Sequence, residues 1–128
     1  MLILRVEDNC GYGPWFGKNN PWKYLDRRTN DHLYNVVICI DAKKDIPKLH
    51  NNLFIGLESP KFYEEWFLKQ ARIALEKTGY CVYFYKIHKN SVKFGKRQLA
   101  FDKSKAIMLT SFKPTDLEGI KQFYKWNR

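Results

Sequence analysis

The stretch SPKFYEEWFLKQARIALEKTG (Ser59–Gly79), running directly into YCVYFYKI (Tyr80–Ile87), decides the fold class. Its first part carries a full set of helix signals. Ser59 can cap the free amides of a first turn, Pro60 suits the first helical position, and Gly79 can close the end in a left-handed conformation. Between them the helical period lines Phe62, Trp66 and Ile73 along one edge of an apolar face, which Phe67 and Ala74 widen. Glu65, Lys69, Arg72 and Glu76 fall opposite, with Glu65–Lys69 and Arg72–Glu76 spaced for ion pairs of about 0.3 kcal/mol each. One helix is expected over about Pro60–Thr78, its charged side solvated and Trp66 and Phe67 in the core. At Tyr80 the period changes to two. Cys81, Tyr83, Tyr85 and Ile87 share one face and Tyr80, Val82, Phe84 and Lys86 the other, and because both faces are apolar the strand is expected at the centre of a sheet.

Working outward, Leu2–Val6 is a short apolar run ending in charge and reads as a first strand. Leu33–Ile40 (LYNVVICI) is β-branched and nearly continuous in apolar residues, which describes a central strand, and Leu53–Leu57 is a further short one. After Ile87, Val92–Phe94 and Gln98–Phe101 flank Gly95-Lys96-Arg97, a hairpin whose tight turn carries two cations. Ala106–Ser111 is another strand. Thr115 with Glu118 three residues on forms a capping box that opens a second helix reaching about Trp126, which Gly119 weakens slightly. The order β, loop, β, β, α, β, β, β, α alternates too little for a doubly wound sheet. The expected class is therefore α+β: a mixed or antiparallel sheet of five to six strands, two helices, and a long ordered N-terminal loop. At 128 residues this is one domain.

That loop runs from Glu7 to Asp31 and carries Gly11, Gly13, Pro14, Gly17 and Pro21, with Tyr12, Trp15, Phe16, Trp22 and Tyr24 interleaved. A connection so long is uncommon in a compact domain unless it is disordered or functional, and the rings argue against disorder. Composition supports a function of one kind. Lys and Arg number 23 against 13 Asp and Glu, a formal net charge of +10, and 9 Phe, 8 Tyr and 4 Trp exceed what a core of this size needs. Rings beside cations suit a nucleotide, because bases stack on aromatic faces while phosphates pair with Arg and Lys. The candidate ligand-binding residues are Arg5, Tyr12, Trp15, Phe16, Trp22, Arg27, Arg28, His32, Lys96, Arg97 and Gln98.

Other chemistries lack their residues. There is no nucleophile elbow, His32, His50 and His88 are scattered, and three Cys and three His show no metal-type spacing. Gly11-x-Gly13 with Gly17 follows a strand yet leads to no helix, so it is a poor phosphate loop. Neither a metal nor a cofactor is expected. Cys10, Cys39 and Cys81 are expected as buried free thiols. No run approaches the roughly 18 apolar residues of a membrane span, so the expected location is cytoplasmic, with no membrane partner.

Arg5-Val6-Glu7 followed by Gly11-x-Gly13-Pro14-Trp15 resembles the opening of a family of small proteins encoded by phages and prophages, which begin R-V-E and continue G-x-G-P and an aromatic. The resemblance extends loosely through Trp66-Phe67, Gly79 and Gly95–Phe101. It implies a counter-defence role of the Thoeris anti-defence type, which sequesters cyclic ADP-ribose signals. A weaker resemblance is to ADP-ribosyltransferases, which carry an Arg on the first strand and a Glu-x-Glu before a final apolar strand. Arg5 fits the first element. Gln98 stands where the catalytic Glu would be, and no Ser-Thr-Ser stretch is present. A Gln cannot supply the negative charge that stabilises an oxocarbenium-like centre, although its amide can still hydrogen-bond a ribose or base edge.

These readings converge on a binding protein rather than an enzyme: one that sequesters an anionic nucleotide-type signal, cyclic ADP-ribose-like or a cyclic nucleotide. The alternative is an anti-CRISPR-like inhibitor that uses its basic surface on a protein or nucleic acid. The surplus of rings also fits a self-association surface, so a homo-oligomer is expected.

Overall fold

The computed structural model describes residues 1–15, 17–24, 42–46, 49 and 52–128. Six strands, β1 (Leu2–Glu7), β2 (Phe54–Gly56), β3 (Cys81–Lys86), β4 (Val92–Phe94), β5 (Leu99–Phe101) and β6 (Ile107–Phe112), alternate unevenly with helices. The helices are α1 (Pro60–Trp66), α2 (Lys69–Lys77) and α3 (Leu117–Asn127), with a single helical turn at Ala42–Asp45. The class is α+β, as expected, and all pairing among these strands is antiparallel. The strands form two three-stranded sheets, β1-β3-β6 and β2-β5-β4. A bridge between Leu4 and Leu57, with backbone bonds of 2.9 and 2.7 Å, joins the free side of β1 to the residue following β2. The strand expected at Leu33–Ile40 lies outside the described residues.

β3 is central, between β1 and β6, because its two faces feed two cores. Val82 and Phe84 join Leu2, Leu4 and Val6 of β1 under the helices, against Tyr63, Trp66, Phe67, Ala71, Ala74, Leu75 and Ile120. On the other face Tyr85 and Ile3 meet Ile87, Leu99 and Phe101, so the second sheet covers the β1 side of the first. The period-two reading of Tyr80–Ile87 is thus realised in full, and Gly95–Gln98 closes the β4–β5 hairpin through Gly95 N–H to Gln98 O at 2.8 Å.

The long helix is not one helix. It divides at Phe67 (φ −128°, ψ 101°) and Leu68 (φ −71°, ψ 174°), both extended. Three bonds bridge the break: Phe67 N–H donates to Tyr63 O, Arg72 N–H donates to Leu68 O, and the Arg72 guanidinium donates to Phe67 O at 2.7 Å. Its reward is the position of the Phe67 ring, which a continuous helix would hold beside Tyr63 and Trp66 and which here reaches Trp15 and Trp22 as well. Ala71, Ala74 and Leu75 of α2 are buried, while Ile73, expected on the apolar face, is exposed. Neither anticipated ion pair forms part of this arrangement. Glu65 and Lys69 stand on opposite sides of the break, Arg72 turns back to Phe67, and Glu76 accepts from the Thr115 hydroxyl at 2.6 Å.

The terminal signals fare unequally. Ser59 accepts the Phe62 N–H, Pro60 opens α1, and Gly79 lies at φ +84° after α2. The Thr115–Glu118 box is replaced: Asp116 is the cap, its carboxylate accepting the Gly119 N–H at 3.0 Å, because Thr115 is engaged by Glu76. α3 is tied back by a 2.9 Å ion pair between Lys121 and Glu64 and by Tyr63 O–H to Pro114 O at 2.7 Å.

Candidate functional site

Strand alternation puts Arg5 and Glu7 on one face of β1, and the start of the long loop folds back over them. Glu7 is 4% exposed and accepts from three groups: Arg5 Nε at 2.8 Å, Lys103 Nζ at 2.5 Å, and the Tyr85 hydroxyl. Arg5 spends its remaining reach on the chain itself, donating from Nη1 to Ile55 O at 2.8 Å and from Nη2 to Gly11 O at 3.1 Å. The Phe54 ring lies between the two cations, 5.0 Å from the Arg5 guanidinium carbon and 4.5 Å from Lys103 Nζ. Burial, followed by the bond to Glu7 and its charge, holds the Tyr85 hydroxyl well above the usual tyrosine range.

Asp8 then organises the loop. Its carboxylate accepts the amides of Cys10 at 2.9 Å and Tyr12 at 3.0 Å, and its own N–H donates to Tyr12 O. Gly11 sits at φ +87°, a conformation that favours glycine, and a Cβ there would meet Lys103 Nζ at 3.2 Å. The R-V-E and G-x-G elements are therefore one packed unit. Further on, the Tyr80 hydroxyl donates to Asn19 O at 2.8 Å and holds the loop to β3.

This scaffold presents rings. Trp15 and Trp22 meet at 5.4 Å, both approach Phe67 at 6.2 and 6.3 Å, and Trp22 stacks on Phe67 within 10° of parallel. Trp15 remains 43% exposed and Tyr12 55%. Trp22 Nε1 is buried with no acceptor, an uncommon state for an indole donor, which costs roughly 1–3 kcal/mol when left unmatched. Phe67 in turn contacts Trp66, whose Nε1 donates to Arg97 O at 2.9 Å. Trp66 thereby links the ring cluster to the basic hairpin turn.

At that turn three successive amides, Lys96, Arg97 and Gln98, donate to the Asp45 carboxylate at 2.9, 3.2 and 3.1 Å. The side chains of Lys96 and Arg97 are exposed, Gln98 is buried, and Glu58 and Phe62 border a shallow recess beside them.

A family model described as "Bacteriophage T4 Y00F protein" matches residues 1–115. The chain belongs to this family. No curated protein and no solved structure matches it. The match takes in β1 through β6, and so the whole ring cluster and the basic turn of this Y00F-family protein. It supports the phage resemblance and does not reach the Thoeris-type or ADP-ribosyltransferase likenesses.

The expected site residues of the Y00F-family chain fall into separate sets. Trp15 and Trp22 come together on the loop while Tyr12 stands exposed on the Asp8 turn, Lys96, Arg97 and Gln98 share the basic turn, and Arg5 is buried beneath the loop as its fastener. Phe16, Arg27, Arg28 and His32 lie outside the described residues. Phe67, Trp66 and Asp45 join the site without having been assigned to it. The buried thiols expected are not what is seen: Cys10 is exposed on the Asp8–Tyr12 turn and Cys81 half-buried, both free, with Cys39 outside the described residues. Burial and the nearby Glu76 charge raise the Cys81 thiol. His88 is exposed and caps a short turn by accepting the Asn90 N–H. Among the described residues no helix is long and apolar enough to cross a membrane.

Proposed function

We propose that this phage-family protein captures an anionic, ring-bearing nucleotide-type molecule and holds it unchanged, as a sponge for a cyclic ADP-ribose-like or cyclic-nucleotide signal in phage counter-defence. The observation that carries the reading is the Trp15–Trp22–Phe67 cluster, open to solvent at Trp15 and containing an indole N–H with no acceptor. A base stacked on Trp15 gains the 1–3 kcal/mol typical of base–aromatic stacking, roughly, and a small shift of Trp22 would give its N–H a ligand oxygen. The net charge of +10 draws anions in. The reading calls for no catalysis; where the transferase resemblance implies a catalytic carboxylate, this chain has Gln98.

The test is thermal denaturation with cyclic ADP-ribose, cyclic dinucleotides and cyclic mononucleotides, followed by mass analysis of ligand released on heating. At a hundredfold excess over Kd a ligand specific to the native state adds about 2.7 kcal/mol, or roughly 10 °C for a domain of this size. Recovery of intact ligand supports capture, and an unmoved midpoint with all of them refutes it. Binding to oligonucleotides that falls steeply with salt would instead favour the inhibitor reading. We further propose that the protein works in the host cytoplasm and self-associates through β6, which among the described residues is an edge strand and on which Ile107, Met108 and Leu109 are 66, 54 and 40% exposed.

A further inference from the structure

The basic turn already holds an anion, and that anion belongs to the protein. Three consecutive amides converging on one group make the kind of backbone concavity that binds phosphate oxygens, and charge-assisted bonds of this type are strong. Here the guest is the Asp45 carboxylate, which bonds Lys96 N–H through one oxygen and Arg97 and Gln98 N–H through the other. We propose that Asp45 is an internal stand-in for the ligand's oxyanion: the Lys96–Gln98 turn is a phosphate site that the carboxylate keeps filled until a phosphate-bearing ligand displaces it.

Three observations support displacement rather than a permanent bolt. Asp45 is only half-buried, and its bonds to Lys96 and Arg97 lie in exposed surroundings, so an incoming anion reaches the amides once the carboxylate rotates away. Ile46 beside it is 1% exposed and anchors the segment in the interior, so movement of the carboxylate does not require the segment to leave. The turn is also held by bonds that do not involve Asp45: Gly95 N–H bonds Gln98 O at 2.8 Å, Phe94 pairs with Leu99, and Trp66 Nε1 grips Arg97 O at 2.9 Å.

Charge decides which guest wins. Lys96, Arg97 and Glu58 line the recess beside the turn, and with the Asp45 carboxylate bound to the turn's amides these four groups sum to zero. Withdrawal of Asp45 leaves one positive charge on a site of amide donors, which a pyrophosphate group, charged on both of its phosphates, fits better than a carboxylate with one charge in all. The device sets a threshold: weak monoanions fail to dislodge Asp45, while a phosphate whose attached ring also stacks on Trp15 brings enough extra affinity to do so. This last step rests on the proposed nucleotide function; the anion site itself does not.

The experiment uses the full chain, nitrogen-15 labelled, as wild type, Asp45→Ala and Asp45→Asn, titrated with inorganic pyrophosphate at constant ionic strength. Amide shifts of Lys96, Arg97 and Gln98 report occupancy. The expected result is saturation at least tenfold tighter in Asp45→Ala than in wild type, Asp45→Asn lying between, and loss of the gain when Lys96→Gln and Arg97→Gln are added. Equal affinity in wild type and Asp45→Ala overturns the proposal, as does an absence of shifts at these three amides. Collapse of the amide spectrum in both Asp45 variants also overturns it, since Asp45 would then be a structural pin. A parallel titration with cyclic ADP-ribose separates the two ideas: tight pyrophosphate binding in Asp45→Ala with no nucleotide response sinks the proposed function and leaves the anion site standing.

Discussion

Replacing Glu7 by Gln removes one negative charge from a place where two cations converge on it. Glu7 is almost fully buried, and its carboxylate is the ionic partner of both Arg5 at 2.8 Å and Lys103 at 2.5 Å. Breaking a buried ion pair by removing one partner costs about 3–5 kcal/mol, because the remaining charge is left uncompensated. Lys103 retains some solvent, its side chain being 24% exposed, so the lower end of that range applies. With about 2.1 cal/mol/K of unfolding entropy per residue over 128 residues, 3 kcal/mol lowers the melting midpoint by about 11 °C. Circular dichroism melts of the wild type, Glu7→Gln, Lys103→Met and the double variant give the cycle. Lys103→Met leaves Arg5 and Glu7 as a balanced pair and costs about 1 kcal/mol. The double variant should therefore be more stable than the sum of the singles by more than about 1 kcal/mol. A Glu7→Gln midpoint within 3 °C of wild type, or strict additivity, refutes a buried cluster organised by Glu7.

Trp15→Ala should weaken nucleotide affinity by roughly 1–3 kcal/mol in calorimetric titration while lowering the melting midpoint much less than Glu7→Gln does, because the ring is 43% exposed and packs at the rim of the core cluster. Gly95→Ala should destabilise by roughly 1–3 kcal/mol in denaturant titration, since a Cβ there would stand 2.4 Å from Asp45 Oδ2 and 2.8 Å from the Asp45 backbone oxygen. Alkaline stability follows from the tyrosines. Tyr63, Tyr80, Tyr83 and Tyr85 all have hydroxyls raised by burial above the ordinary value of 10.0, and a raised acid binds its proton longer in the folded state than in the unfolded one. Their contribution is complete below pH 10.0 and declines as pH rises above it, so the part of the tyrosinate absorbance that belongs to these four should appear together with unfolding. Ile107→Lys should abolish any concentration-dependent mass increase seen by sedimentation, and a wild type that stays monomeric at every concentration defeats self-association through β6.

What the sequence discloses and what it hides divide along the range of the forces involved. β1, β3 and the β4–β5 hairpin are legible because alternation and turn residues act between near neighbours, and Ser59, Pro60 and Gly79 act within one helical turn. The break at Phe67 has no local cause: Leu68 and Lys69 are good helix formers, and what overrides them is the docking of one ring among Trp15 and Trp22, far away in the chain. Thr115 and Asp116 are adjacent caps of similar quality, and Glu76 decides between them by occupying the threonine. Glu7 was accessible to sequence reasoning, since Arg5 and Glu7 share a strand face. Lys103, 96 positions from Glu7, and Asp45, more than 50 from the amides it holds, carry no signal in the sequence at all.

The Arg5–Glu7 start of the motif that carries the phage resemblance is also the part least available to a ligand. Arg5 is bound to Glu7, Ile55 O and Gly11 O, Glu7 to three donors, and the Gly11 conformation is set by the need to cross Lys103. A buried charge cluster demands these residue types at this spacing, because any substitution strands a partner in low dielectric. Ligand contact makes no such demand: Tyr12 and Trp15 need only project from a loop that the cluster has fixed. The two roles therefore separate experimentally, with Glu7→Gln moving the melting midpoint and Trp15→Ala moving the dissociation constant. If Trp15→Ala instead lowers the midpoint as far as Glu7→Gln does, the rings belong to the scaffold too, and the binding surface must be sought at the Lys96–Arg97 turn alone.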